Sequence, residues 1–252
     1  MPETNAVIPL HQSTEPQFDE PRRFKVFTAR QLDKIEPLKR LDDETRFAME
    51  VVANVLPFRV NEYVIDELID WDKVPNDPIY QLTFPQKGML APEHFDIVAE
   101  AMRGGDKAEI KAAIAEVREA LNPHPAGQME HNMPEVDGEK IDGVQHKYNE
   151  TVLFFPSQGQ VCHSYCTFCF RWAQFIGDND LKIATKEAGQ LKKYIQAHPE
   201  ITDVLITGGD PLVMKTKNLR AHIEPLLELE QIRTIRIGSK ALTFWPQRVV
   251  SD

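Results

Sequence analysis

All three cysteines of this 252-residue sequence fall within eight consecutive positions, in the run CHSYCTFC, at Cys162, Cys166 and Cys169. With none elsewhere, a disulfide-stapled framework is excluded, and the thiols read as a metal or redox centre. The spacing, Cys-x3-Cys-x2-Cys, lets one loop wrap one centre, and thiolates are soft ligands that suit iron–sulfur clusters or zinc. A four-iron cluster usually takes four cysteines, so three leave one place open to a small molecule. Structural zinc wants a closed set of four, for which the candidates are the adjacent His163 and the distant His146 and His131. Both readings stay open on the residues alone. Phe168, Phe170 and Trp172 alternate beside the cysteines and read as core packing that would also shield a centre from water.

The formal net charge of -10 argues against nucleic-acid binding, which calls for a basic stripe, and short clusters such as Lys192-Lys193 read as solvated helix faces. No apolar run approaches the roughly 20 residues that cross a bilayer. Residues 1–24 carry Pro2, Pro9, Pro16 and Pro21 among acidic and polar residues, without the basic and apolar regions of a secretory signal. They read as a disordered tail on a cytoplasmic protein.

Along the chain, Thr28 and Gln31 have capping-box spacing, and Leu32, Ile35 and Leu38 recur at intervals that predict a helix over 28–38. A second helix is expected over 43–56, with Phe47, Val51 and Val55 on one stripe, and further helices over 92–102 and 106–121. The stretch 63–85, punctuated by Pro75, Pro78 and Pro85, reads as loop. Residues 25–121 thus form a helical region, and 122–145, rich in proline and glycine, a linker. From 146 the pattern becomes strand, loop, helix: strands over 151–156, 203–207 and 232–237, helices over 186–197 and 216–229, and the start of another at 246–251. That alternation predicts an α/β half with a parallel sheet, the cysteines lying in the loop after its first strand. Directly after the second strand stands Thr207-Gly208-Gly209-Asp210-Pro211. Glycines there would let backbone approach a ligand, and Asp210 could accept hydrogen bonds from a ligand ammonium; the same residues also make an ordinary turn.

Taken together, CHSYCTFC, TGGDP, the NDPI stretch at 76–79, HKYNETVL at 146–153 and IRIGSKALTFWPQR resemble the radical S-adenosylmethionine (radical SAM) enzymes, and within them the lysine 2,3-aminomutase family. The resemblance implies that 146–252 is the first half of a radical SAM partial barrel, with about three βα units where the family has six, so the chain is expected to be truncated at its C-terminus. It implies a [4Fe-4S] cluster on the three cysteines and SAM at its open iron. Arg171 would pair with the SAM carboxylate, and Thr207, Gly208, Gly209 and Asp210 would hold the methionine end. An amino acid or similar small molecule is the implied substrate and flavodoxin or ferredoxin the implied electron donor; a homo-oligomer is compatible with it. Family members also use pyridoxal phosphate (PLP), but Lys147 and Thr151 stand where arginines would grip its phosphate, and Lys215, Lys217 and Lys240 are expected on exposed helix or loop, so PLP use is doubtful here. The rival function is a zinc- or cluster-binding module serving structure or electron transfer without catalysis.

Overall fold

The computed structural model of the chain describes residues 22–123, 127, 130–178, 181–186 and 188–250. The expected disordered tail, 1–24, lies outside the described residues except for 22–24. Arg22 pairs with Asp66 and, at 2.8 Å, with Glu67, while Phe24 packs edge-on against His163 and Trp245.

Strand β1 (Val26–Thr28) pairs antiparallel with β2 (Arg59–Asn61). The capping box at Thr28 forms, its N–H donating to Gln31 Oε1 at 3.2 Å, but it opens a 3-10 turn, Ala29–Lys34, rather than an α-helix. A second such turn, Glu36–Arg40, follows an extended Ile35. Pro37 is the physical reason, because it has no N–H to donate and its ring would strike the carbonyl four residues back. Leu32, Ile35 and Leu38 are nevertheless all buried, since a spacing of three matches the three residues per turn of a 3-10 helix.

Helix α1 (Asp43–Val55) starts where Asp42 accepts the Thr45 N–H at 2.7 Å. The stretch 63–85, expected as loop, holds a π-type turn, Val64–Leu68, and helix α2 (Pro78–Thr83). Asp77 caps α2 by accepting the Tyr80 N–H at 2.7 Å, and Pro78 occupies its first turn, so residues read as breakers are start signals. Helices α3 (Pro92–Gly104) and α4 (Lys107–Ala120) follow as expected. α1 is packed on two sides: Met49 and Ala53 against Phe58, Tyr80 and Phe84, and Val51, Val52 and Val55 against α3 and α4. Full burial of each of those valines stabilises the fold by about 1.5–3 kcal/mol.

The segment 122–145, expected as a linker, carries a hairpin of β3 (Glu135–Val136) and β4 (Glu139–Lys140) and most of β5 (Val144–His146). β5 is one edge of a sheet ordered β5-β6-β7-β8, completed by β6 (Thr151–Phe154), β7 (Asp203–Ile206) and β8 (Thr234–Ile237). β6, β7 and β8 run parallel as expected, whereas β5 runs antiparallel to β6, so the sheet is mixed and open. Helices α5 (Gly189–Ala197) and α6 (Thr216–Leu227) cover one face, where Val152, Phe154, Val204 and Ile206 are fully buried with Leu191, Ile195 and Leu226. The alternate residues Thr151, Leu153, Leu205 and Arg236 line a cavity on the other face, as the two-residue period of a strand requires. Short helices α7 (Ala241–Phe244) and α8 (Gln247–Val250) end the described chain. The fold is mixed α/β with a helical N-terminal part. Among the described residues no helix is long and apolar enough to cross a membrane.

Candidate active site

The loops after β6, β7 and β8 meet at the carboxyl ends of the parallel strands, where α/β folds build their sites. They bring together the three cysteines, Thr207 to Asp210 and Gly238 to Lys240 around one cavity of about 780 Å³. The cysteine loop is clasped by the helical part: Tyr165 N–H donates to Arg59 O and Thr167 N–H to Leu82 O, each at 2.8 Å. Asn61 adds its N–H to Ser164 Oγ at 3.2 Å and its side-chain amide to Phe244 O at 2.8 Å.

All three cysteines are free thiols and line the cavity. Burial pushes the Cys162 thiol well above the usual thiol range and raises that of Cys169. Lys240 Nζ lies 2.9 Å from Cys166 Sγ. Among the described residues no three His, Cys, Asp or Glu side chains converge as ligands for a single ion. Phe168 and Phe170, expected in the core, are 71% and 74% exposed. They sit at the cavity and serve its cations instead: Lys240 lies 4.9 Å from the Phe168 ring and Arg171 lies 5.2 Å from that of Phe170. Arg171 also stacks over Phe155 at 4.3 Å; burial lowers its pKa to about 10, which leaves it cationic at neutral pH. Among the described residues no carboxylate pairs with it, and it lines the cavity.

The glycines do something the sequence did not disclose. Gly208 has φ +133, and a Cβ there would collide with the Gln160 side chain; at Gly209 it would lie 2.5 Å from Val161 N. The close approach expected toward a ligand is therefore made to the chain's own 160–161 segment, although both glycines still line the cavity. Asp210 completes the weld by donating its N–H to Val161 O at 2.9 Å. Its carboxylate, expected to face a ligand ammonium, is buried and turned to protein donors instead. Oδ1 accepts from Ser239 Oγ at 2.7 Å and Leu212 N–H at 2.9 Å, Oδ2 from Lys240 N–H at 2.8 Å, and His163 Nδ1 stands 3.6 Å away. Burial alone would raise this carboxyl, but those donors outweigh it and hold the pKa below the ordinary 3.8. Lower on the sheet, Thr151 Oγ1 donates to Asp203 at 2.7 Å and Arg236 Nε to the same carboxylate at 3.0 Å.

Ser239 and Arg59 belong to this site and were not singled out from sequence, while His163, weighed there only as a zinc ligand, and Lys240, expected only as an exposed lysine, sit at it in other roles. The one available signal was GSK after the third parallel strand, the same position that TGGD holds after the second.

No protein-family model matches the chain. Among curated proteins it is 33% identical over 215 residues to an Aquifex aeolicus protein provisionally named an L-lysine 2,3-aminomutase, covering 85% of this chain and 47% of that one. An L-lysine 2,3-aminomutase of Acetoanaerobium sticklandii is 31% identical over 134 residues, covering 53% of this chain and 32% of its own length. That of Clostridium subterminale is 24% identical over 230 residues, covering 91% and 46%. By these similarities the chain belongs to the lysine 2,3-aminomutase family, and it spans about half the length of the first and third of these relatives.

Proposed function

We propose that this chain carries the cluster and SAM site of a radical SAM enzyme that acts on an amino acid or similar small molecule in the cytoplasm. The observation that carries the reading is three soft thiols on the wall of one cavity, beside a half-buried arginine without a carboxylate partner among the described residues. That donor set fits a [4Fe-4S] cluster: Cys162, Cys166 and Cys169 would supply three of its ligands and leave one place for SAM. When bound, such a cluster supplies the single electron, received from flavodoxin or ferredoxin, that cleaves SAM and starts radical chemistry.

The chain's own residues do the positioning. Arg171 would hold the SAM carboxylate by a charge-assisted contact, its guanidinium already oriented between two rings. Thr207 and Gly208, on the cavity wall, would receive the methionine end, while Gly209 and Asp210 fix that segment to the cysteine loop. The apolar Leu153 and Leu205 exclude water below them.

Where a PLP phosphate would be gripped, Lys147 offers one charge, and the Thr151 hydroxyl is committed to Asp203, which Arg236 already pairs, so Thr151 adds none. No step is assigned to PLP.

The test is anaerobic reconstitution with iron and sulfide, then SAM and dithionite, with assay of methionine and 5′-deoxyadenosine. Iron, sulfide and SAM cleavage are expected, and each should be lost when any one of the cysteines becomes alanine. Zinc in place of iron, or full cluster content in the Cys166→Ala chain, would overturn the proposal.

A further inference from the structure

Lys240 stands in the loop after β8, yet its Nζ lies 2.9 Å from Cys166 Sγ, 74 positions earlier in the chain. Both ends of the residue are held. Its backbone N–H donates to Asp210 Oδ2 at 2.8 Å, and Ser239 Oγ donates to the same carboxylate at 2.7 Å. Gly238 N–H donates to Ile206 O at 3.0 Å, which ties the start of this loop to the end of β7. At the far end the ammonium lies over the Phe168 ring, 4.9 Å from its centroid. The lysine is exposed, and a four-carbon stem gives up rotamer freedom when it is fixed. The ring face and the sulfur offset that loss, which gives Phe168 a reason to stand 71% exposed at the cavity.

A lysine ammonium carries three N–H donors and no acceptor, so toward a thiolate it can only donate. Hydrogen bonds to the sulfurs, and the charge around them, set the potential of an iron–sulfur cluster. Reduction adds one electron and with it one negative charge, which a cation at a ligating sulfur favours. We propose that Lys240 donates a hydrogen bond to the Cys166 thiolate of a cluster held by the three cysteines and raises the reduction potential of that cluster, an inference that rests on the cluster reading above. Asp210 fixes the backbone from which the lysine reaches, so the loop after β8 sets the potential of a centre carried by the loop after β6. Solvent and salt screen an exposed charge, which keeps the shift modest.

The experiment is a redox titration, monitored by electron paramagnetic resonance, of the whole chain reconstituted anaerobically with iron and sulfide, comparing wild type with Lys240→Met and Lys240→Arg. SAM is left out, so that no ligand anion meets the lysine. In Lys240→Met, which keeps an apolar stem for Phe168, the ratio of reduced to oxidised cluster at fixed poise should fall about threefold, equal to a midpoint about 28 mV lower at 59 mV per tenfold for one electron. Lys240→Arg keeps the charge and the donors and should retain most of the wild-type midpoint. Equal midpoints in loaded wild type and Lys240→Met would overturn this inference alone, as would equal falls in both variants, which would mean packing rather than the cation. If Lys240→Met takes up no iron, Lys240→Gln replaces it under the same criterion; iron lost from both would mean that the lysine builds the site rather than tunes it, and would overturn the inference as well. A wild-type chain that takes up no iron and sulfide overturns the cluster reading itself, and this inference with it.

Discussion

The Asp210 carboxylate accepts three hydrogen bonds, one from Leu212 N–H in its own loop and two, from Ser239 Oγ and Lys240 N–H, that tie the loops after β7 and β8 together. Asparagine would remove the charge and turn an amide N–H toward donors. Asp210→Asn should therefore lower stability by about 1.5–3 kcal/mol in urea denaturation at neutral pH. Because the folded pKa is held below 3.8, this stabilisation is complete above 3.8 and is lost as pH falls through the folded value. The gap between wild type and variant should narrow on acidification; a gap unchanged well below 3.8 would refute the role. Gly209 gives a steric test of the same weld. An alanine Cβ would lie 2.5 Å from Val161 N, next to Cys162, so Gly209→Ala should cost about 1–3 kcal/mol and reduce iron uptake. Gly88, where a Cβ meets nothing within 4 Å, is the control and should tolerate alanine in the same melting and iron assays.

Helix α2 links local capping to the site, since the carbonyls of Gln81 and Leu82 hold Thr167 in the cysteine loop. Asp77→Ala removes its cap and should cost about 2 kcal/mol in thermal unfolding, with looser iron retention under a chelator. Wild-type retention after loss of the cap would show that the loop does not depend on α2. That helix was hidden in the sequence because an Asp-Pro pair serves equally as a turn and as a helix start. β6, β7 and β8 were legible within a few residues, being apolar runs bounded by turn residues. β1, β2 and β5, three residues each, are too short to display a period. The single helix expected over 28–38 failed because a repeat of three satisfies either helix type, and Pro37 decides between them. At the site, the cysteines and 207–210 were readable as neighbours since both follow parallel strands. Lys240 reaches Cys166 across 74 positions, and Arg59 meets the loop from a different sheet, contacts that no local pattern encodes.

At the scale of the whole molecule, the sheet ends abruptly. Among the described residues β8 pairs with β7 alone, which leaves one side of its backbone without a strand, and Ile237 on that strand is exposed. Leu242, at 71% exposure, and Val249 and Val250 continue an apolar surface along α7 and α8. An open edge with apolar neighbours is a template for pairing with another strand, and a single charge pointing outward is the usual way to block it. The net charge of -10 opposes association only at long range, and salt screens it within about 10 Å at 0.1 M. The 252-residue chain should therefore associate with rising concentration, more strongly as salt is added, and Ile237→Lys combined with Leu242→Lys should keep it monomeric. Light scattering across a concentration series reads both. A wild-type chain that stays monomeric throughout would mean that the edge is already protected, and equal association in the double variant would place the contact elsewhere on the surface.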